Sequence, residues 1–196
     1  GVAFSRLVET NMAELMLEPR IAAIANRNRI TADDVLYLRG TVCKDGMSSR
    51  AEVEGLFGLD GAAQDKAAEW AVFLIEATCD YVVHQEKPEG YLSEQNASWL
   101  QGLIARDGRV DGGTELELMI RVMESARTVP AAFNDYVLAQ VSHAVCDPTG
   151  SLFAQDREGR MRITGQSAST VRRMLYAMGG HGNIAVTRVE AELIFN

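Results

Sequence analysis

The chain has little of several features that mark common protein classes. Of its 196 residues only four are proline and 7% are aromatic, and 19 basic residues stand against 27 acidic ones, a formal net charge of −8. A protein that binds nucleic-acid phosphates needs a basic patch, and none is visible. The apolar run Trp70–Ile75 is far shorter than the ~18 residues of a membrane span. We therefore expect a soluble protein without nucleic-acid binding or membrane insertion.

Cysteine is also scarce, and catalytic motifs are absent. Cys43, Cys79 and Cys146 are singly spaced, which argues against a disulfide framework and a zinc knuckle. Because each lies in an apolar helical context, we predict that all three are buried. The sequence has no GxSxG, HExxH or phosphate-loop pattern, so we predict no catalytic residue and no cofactor beyond a weak divalent-cation site. Residues 1–6 lack the features of a signal peptide, which favours a cytoplasmic location.

What is present is a pattern that occurs three times. An aliphatic residue and Ser or Thr open a stretch of helical periodicity that ends at Gly. Ser or Thr caps the first free N–H groups of a helix, and Gly permits the left-handed C-cap. Each stretch therefore predicts one helix. The three are Ile30–Gly46, Leu92–Gly108 and Ile163–Gly179.

A capping box of the form S/T-x-x-E follows each glycine, at Ser49–Glu52, Thr114–Glu117 and Thr187–Glu190. The pattern predicts a unit of helix, glycine loop and helix. We therefore predict an all-α fold, a single helical domain over residues 1–196. Its parts are an N-terminal helical segment at 1–29, repeat unit 1 at 30–91, repeat unit 2 at 92–162 and a partial unit 3 at 163–196.

Long helices are predicted to complete the first two units. One runs over about 62–85 and is apolar on most of its circumference, which indicates a central buried helix. Its shorter counterpart runs over about 130–145. An N-terminal helix over about 2–26 is predicted to be kinked or divided at Pro19. Residues 147–159 form the one long irregular stretch.

An Asp-Gly loop between two helices suggests a calcium-binding EF-hand. With Gly46 at the sixth loop position, Asp45 and Glu52 fall at the fifth and twelfth, but the first and third lie on the preceding helix. No loop supplies the six or more oxygens that calcium needs. We interpret the loops as glycine C-caps followed by glutamate caps, with a weak cation site at Asp107 and Asp111 as the alternative.

A polar stripe follows the predicted long helix. Glu69, Glu76, Asp80 and His84 fall within roughly an 80° sector, with Phe73 among them. In one interpretation the stripe lines a cleft, where Asp80 and His84, one turn apart, act as metal ligands or an acid–base pair. In the other it is a solvated edge, or it forms ion pairs with arginines of neighbouring helices.

At its Asp-Gly loops the chain resembles the TerB-like helical domains, named for a bacterial tellurite-resistance protein. The stretches that carry the resemblance are Asp45–Glu52 and Asp107–Glu115, while the third unit has Met178-Gly179 in place of Asp-Gly. The resemblance implies a compact all-α bacterial module with metal or stress-response associations and interaction roles. It assigns a weak metal role to Asp45, Glu52, Asp107 and Glu115.

The function predicted from these observations is a non-enzymatic interaction module that binds a partner protein or associates with itself. Methionines in i, i+4 pairs predict core packing, whereas an exposed methionine stripe would form a partner groove. The alternative is a divalent-cation site or small hydrolytic centre that uses Asp80 and His84.

Overall fold

The chain is mainly α-helical, as predicted, in a computed structural model that describes residues 19–44, 46–105, 110 and 112–179. The described α-helices are α1 (Pro19–Asn26), α2 (Ala32–Tyr37), α3 (Arg50–Ala62), α4 (Ala68–Asp80), α5 (Glu94–Ile104), α6 (Gly113–Ser125), α7 (Ala131–Cys146) and α8 (Gly165–Gly179). Two of them are continued by a wider π-helical turn: α2 by Leu38–Val42, and α4 by Tyr81–Gln85.

The Ser or Thr predicted at the head of each repeated segment caps its helix. The hydroxyl oxygens of Thr31, Ser93 and Thr164 accept hydrogen bonds from the backbone N–H three positions later, at 3.3, 3.1 and 3.1 Å. Ser49 and Glu52 form the predicted capping box of α3, in which each side chain bonds the other's backbone. These contacts satisfy N–H groups that have no partner within the helix.

The second predicted capping box, Thr114–Glu117, is wrong. The N-cap of α6 is Gly112, two residues before Thr114. Glu115 folds back over this end of the helix, since a Cβ on Gly112 would lie 2.0 Å from Glu115 Oε2. Glu117 instead accepts hydrogen bonds of 2.7 and 2.8 Å from Arg173 of α8. The carboxylate predicted to cap its own helix therefore joins two helices.

The predicted start of the long helix, near residue 62, is also wrong. α3 ends at Ala62, and residues 63–67 are extended up to the start of α4. Within this link β2 (Asp65–Lys66) pairs in parallel with β1 (Arg29–Ile30). The N–H groups of the link donate to carbonyls of the β1 segment, so the backbone bonds across the fold rather than along a helix.

The helix α4 lies at the centre of the core, as predicted. It packs against α2, α3 and α6. Its residues Trp70, Phe73 and Leu74 are no more than 2% exposed. Burial of aromatic and aliphatic side chains of this size contributes most of the stability of such a domain.

The two complete units pack in the same way. In unit 1, α2 and α3 both contact α4; in unit 2, α5 and α6 both contact α7. This likeness agrees with an internal repeat, which stays a prediction. The described methionines of the i, i+4 pairs largely pack inward, since Met119, Met123 and Met174 are buried.

The prediction that every cysteine is buried holds only for Cys79. All three thiols are free, but Cys43 is half-buried and Cys146 is exposed. Cys146 is the last residue of α7, where the chain leaves the core for the irregular stretch 147–164. In this last turn Ala144 and Val145 are still buried, whereas Cys146 lies on the side that faces solvent.

The remaining predictions fall partly outside the described residues. The helix predicted at 130–145 is α7, at Ala131–Cys146. Of the predicted N-terminal helix only α1, which begins at Pro19, is described. The box at Thr187–Glu190 lies outside the described residues. Among the helices that the structure describes, none combines the length and apolar character needed to span a membrane.

Candidate functional site

The predicted polar stripe runs along α4 and its π-helical turn. Glu69, Glu76 and His84 are exposed and Asp80 is half-buried. Eight residues separate Glu76 from His84, which is about 12 Å along a helix axis. The stripe is therefore an extended edge, and its four polar side chains do not converge on one point.

Side chains of the stripe form hydrogen bonds and ion pairs with nearby polar residues along the exposed edge of the helix. Arg39, on the π-helical turn after α2, donates a 2.7 Å hydrogen bond to Glu76, and its guanidinium carbon lies 5.4 Å from the Phe73 ring centroid. Asp80 accepts from Gln85 Nε2 at 3.3 Å. The pair Arg39–Glu76 is an ion pair with an arginine of a neighbouring helical segment, as the second interpretation of the stripe describes. Exposed ion pairs of this kind contribute little stability.

The residues given a weak metal role are only partly described. Asp45, Asp107 and Asp111 lie outside the described residues. Glu52 accepts from the backbone N–H groups of Ser48 and Ser49 at 2.6 and 3.3 Å, so its carboxylate caps α3. Among the described residues there is no group of three or more His, Cys, Asp or Glu that could hold a metal ion.

Sequence reasoning missed a polar and aromatic cluster where α3, α5 and the end of α4 meet. Arg50 donates a 2.6 Å hydrogen bond to Asn96 Oδ1, and its guanidinium carbon lies 5.3 Å from the Trp99 ring centroid. Trp99 Nε1 donates to Oε1 of Glu54 at 2.8 Å. Glu54 is only 1% exposed. We call Arg50, Glu54, Tyr81, Glu86, Asn96 and Trp99 the Arg50 cluster.

The remaining members close the Arg50 cluster. The hydroxyl of Tyr81 donates to Glu86. The Tyr81 and Trp99 rings meet edge to face, with centroids 6.0 Å apart. Glu86 Oε1 lies 3.7 Å from Arg50 Nε, which is an ion pair. Within the part of the chain that the structure describes, Nδ2 of the buried Asn96 has no hydrogen-bond partner.

The contacts of the Arg50 cluster join helices of the fold and do not form a ligand site. Its carboxylates outnumber its single guanidinium, which disfavours an anionic ligand, and Arg50 already occupies the cation position over Trp99. The contacts link unit 1 to unit 2.

One signal in the sequence could have located the Arg50 cluster. Asn96 stands three positions after a helix cap, where Asp34 and Ser167 stand in the other units.

Three potential nucleophiles of the described region, Cys43, Cys79 and Tyr81, have raised pKa values. Burial, followed by the nearby Glu52 carboxylate, raises the pKa of Cys43 to about 11. Burial also raises the pKa of Cys79, even though the thiol contacts Ser125. The pKa of Tyr81 is raised by burial and by its hydrogen bond to Glu86. These groups are protonated at neutral pH, whereas a reactive thiol needs a lowered pKa.

A different surface has the features of a contact site. Two large apolar side chains are exposed on packed helices, Leu36 on α2 at 67% and Val72 on α4 at 52%. Exposed carboxylates lie within one turn of each: Asp33 on α2, and Glu69 and Glu76 on α4. We call Asp33, Leu36, Glu69, Val72 and Glu76 the α2–α4 face.

Comparison of the chain with protein-family models, with curated proteins and with solved structures finds no match. The similarity to TerB-like domains therefore stays a prediction that rests on the Asp-Gly loops. The function has to be argued from the surface and the core of this chain.

Proposed function

We propose that this chain is a non-enzymatic interaction module that binds a partner protein through the α2–α4 face. The observation that carries the proposal is the exposure of Leu36 and Val72, at 67% and 52%, on two helices whose other faces pack into the core. Single exposed apolar residues are common on proteins, whereas apolar residues together on neighbouring elements suggest an interface. The helices α2 and α4 pack against each other, and Leu36 and Val72 each follow the paired residues of the parallel strands β1 and β2 by six positions. We therefore infer that they lie at the same level of one surface.

The repeated pattern offers an internal comparison. At the position aligned with Leu36, unit 2 has Ser98 and unit 3 has Ser169, and both are exposed. The position thus faces solvent in all three segments and is polar in two. A leucine at this position buries little apolar surface within the chain. Its apolar side chain is better explained by contact with a partner protein.

The raised pKa values of three potential nucleophiles elsewhere in the chain support binding rather than catalysis. The Cys43 and Cys79 thiols and the Tyr81 hydroxyl are held protonated by their raised pKa values. The proposal includes a cytoplasmic location, in which free thiols such as those of Cys43, Cys79 and Cys146 are kept reduced. An interaction role is one of those that the TerB-like resemblance implies, beside metal and stress-response associations.

The test is quantitative co-purification from the native cell. The chain with Leu36→Ser and Val72→Thr is compared with the natural chain, and Tyr176→Ser on α8, where Tyr176 is 77% exposed, is the matched control. We expect one partner to be retained by the natural chain and by the control. Its recovery from the double variant should fall by at least roughly tenfold, because two interface anchors of about 1–2 kcal/mol each are removed. Equal recovery from all three chains would refute the proposal.

A further inference from the structure

We propose that the partner segment that occupies the α2–α4 face is a basic amphipathic helix of another protein. This inference rests on the proposed function and adds the chemistry of the partner. Three observations support it: the charge around the two apolar residues, the charge that a second copy would bring, and the absence of a free strand edge on the two described helices that form this face.

The charge around the apolar pair is acidic. Asp33, Glu69 and Glu76 are exposed, and the helices α2 and α4 themselves contain no lysine or arginine. Two arginines lie beside α2: Arg39 is already paired with Glu76 at 2.7 Å, and the Arg20 guanidinium carbon lies 4.1 Å from the Tyr37 ring centroid. Glu69 and Asp33 are therefore the carboxylates available to a partner. An interface of this kind matches lysine or arginine beside apolar anchors on the partner.

The same charges argue against a second copy of the chain. In a symmetric dimer through this face, each carboxylate would meet the same acidic set of the other copy. Like charges brought together at an interface are unfavourable, and the apolar area of two side chains per copy is small. A negatively charged lipid surface would be repelled for the same reason.

The face also favours a helical partner over an extended one. Leu36 and Val72 belong to helices, whose backbone groups bond within the helix, so they present no strand edge to which an extended peptide could add. Recognition must then use side chains. An amphipathic helix presents apolar anchors at i, i+3 and i+4 spacing with basic residues on both sides, which suits two apolar residues beside carboxylates.

The experiment uses designed peptides and the whole chain. One peptide is an amphipathic helix of about 18 residues, long enough to be partly helical alone, with leucine anchors flanked by lysine. A second has the same leucines flanked by glutamate, and a third keeps the lysines with serine in place of the leucines. Binding is measured by fluorescence anisotropy at about 50 and 300 mM salt, which brackets strong and weak screening.

We expect the basic amphipathic peptide to bind roughly tenfold more tightly than either of the others, and more weakly at high salt. The charge reversals Asp33→Lys and Glu69→Lys, at the two carboxylates available to a partner, should together abolish this preference. The matched control, Glu89→Lys with Glu94→Lys, changes the same net charge at exposed sites elsewhere and should bind like the natural chain.

Three outcomes would overturn the inference: equal binding of the basic and acidic peptides, equal loss in both charge-reversal pairs, or a dimer in sedimentation that Leu36→Ser and Val72→Thr dissolve. Failure of the peptides is distinct from failure of the proposed function. If none binds while the co-purified partner is still lost from the Leu36/Val72 variant, the interaction role stands and only the basic helix is excluded.

Discussion

Asp34, Asn96 and Ser167 stand at the same place in three helices and are 3%, 2% and 1% exposed. Each is three positions after a capping hydroxyl, and each is a polar group in the core. A buried polar group is costly unless it is hydrogen-bonded. Asp34 meets this requirement, because its Oδ2 accepts from Arg27, from the Thr31 N–H and from the Thr31 hydroxyl at 2.6, 2.9 and 2.7 Å.

We predict that Asp34 makes the stability of the protein sensitive to acid. Burial raises the pKa of Asp34, but its hydrogen bonds from Thr31 and Arg27 outweigh burial, so the pKa lies below its ordinary 3.8. A group whose pKa is lowered by folding adds stability above its unfolded pKa and loses it as the pH falls through the folded pKa. The pH range over which the stabilisation by Asp34 is lost therefore lies below about pH 4.

The check is chemical denaturation of Asp34→Asn between neutral and strongly acidic pH. At neutral pH we expect a loss of about 1–3 kcal/mol in the free energy of unfolding, because the buried hydrogen bonds of a charged acceptor are lost. The difference from the natural chain should shrink as the pH falls. Asp33→Asn, next along the same helix and exposed, should change little. A difference that stays constant with pH would contradict this account.

At the scale of elements, α8 is joined to α6 both by apolar packing and by the ion pairs of one arginine. Arg173 donates to Glu117 and, at 2.8 Å from two of its nitrogens, to Glu124. The hydrogen bond from Arg173 holds the pKa of Glu124 below its usual range. Met174 and Ser167 of α8 are buried, and Val171, Leu175 and Met178 pack partly buried against the core, so the ion-pair network adds to an apolar contact at the edge of the core.

We predict that Arg173→Met loosens α8 without unfolding the domain. A network of partly exposed charges contributes roughly 1 kcal/mol, so amide hydrogens of α8 should exchange about fivefold faster. Hydrogen exchange with mass spectrometry measures this, and amides of α4 should be unaffected. Arg172→Met, at an exposed neighbouring position, is the control. Equal exchange in both variants would show that the network does not hold the helix.

At the scale of the whole molecule, the two predicted functions require different arrangements of side chains. A cation site or hydrolytic centre needs ligands that converge, whereas Asp80 and His84 lie on an edge with Glu69 and Glu76 spread along it. An interaction module needs an exposed apolar surface on a rigid support. The α2–α4 face has one, because the buried side chains of Trp70, Phe73 and Leu74 fix the helix that carries Val72.

The whole-molecule prediction concerns metal ions. We expect millimolar Ca²⁺, Mg²⁺, Zn²⁺ or Mn²⁺ to leave the melting temperature of the natural chain unchanged, because a ligand that binds only the folded state raises it. Thermal shift with and without chelator measures this. A rise that disappears in Asp80→Asn and His84→Ala would establish the cation alternative. A rise that survives those changes but disappears in Glu52→Gln would point to the Asp-Gly loop instead.

The sequence by itself determined the helical class, the central position of α4 and four helix caps. These follow from local rules, since a Thr31 or Ser93 hydroxyl caps the helix that it begins and apolar periodicity marks the buried face. Their signals lie within a few residues of the structure that they specify.

Only the tertiary structure decided the roles that depend on distant neighbours. The sequence predicts that Glu117 caps its own helix, but its carboxylate accepts hydrogen bonds from Arg173, 56 positions later. The link at 63–67 is extended because its N–H groups bond to the segment at 28–30. The burial of Glu54 beneath Trp99 is likewise invisible along the chain, as is the packing of the helices that carry Leu36 and Val72. Such contacts depend on which surfaces meet in space, and periodicity carries no information about that.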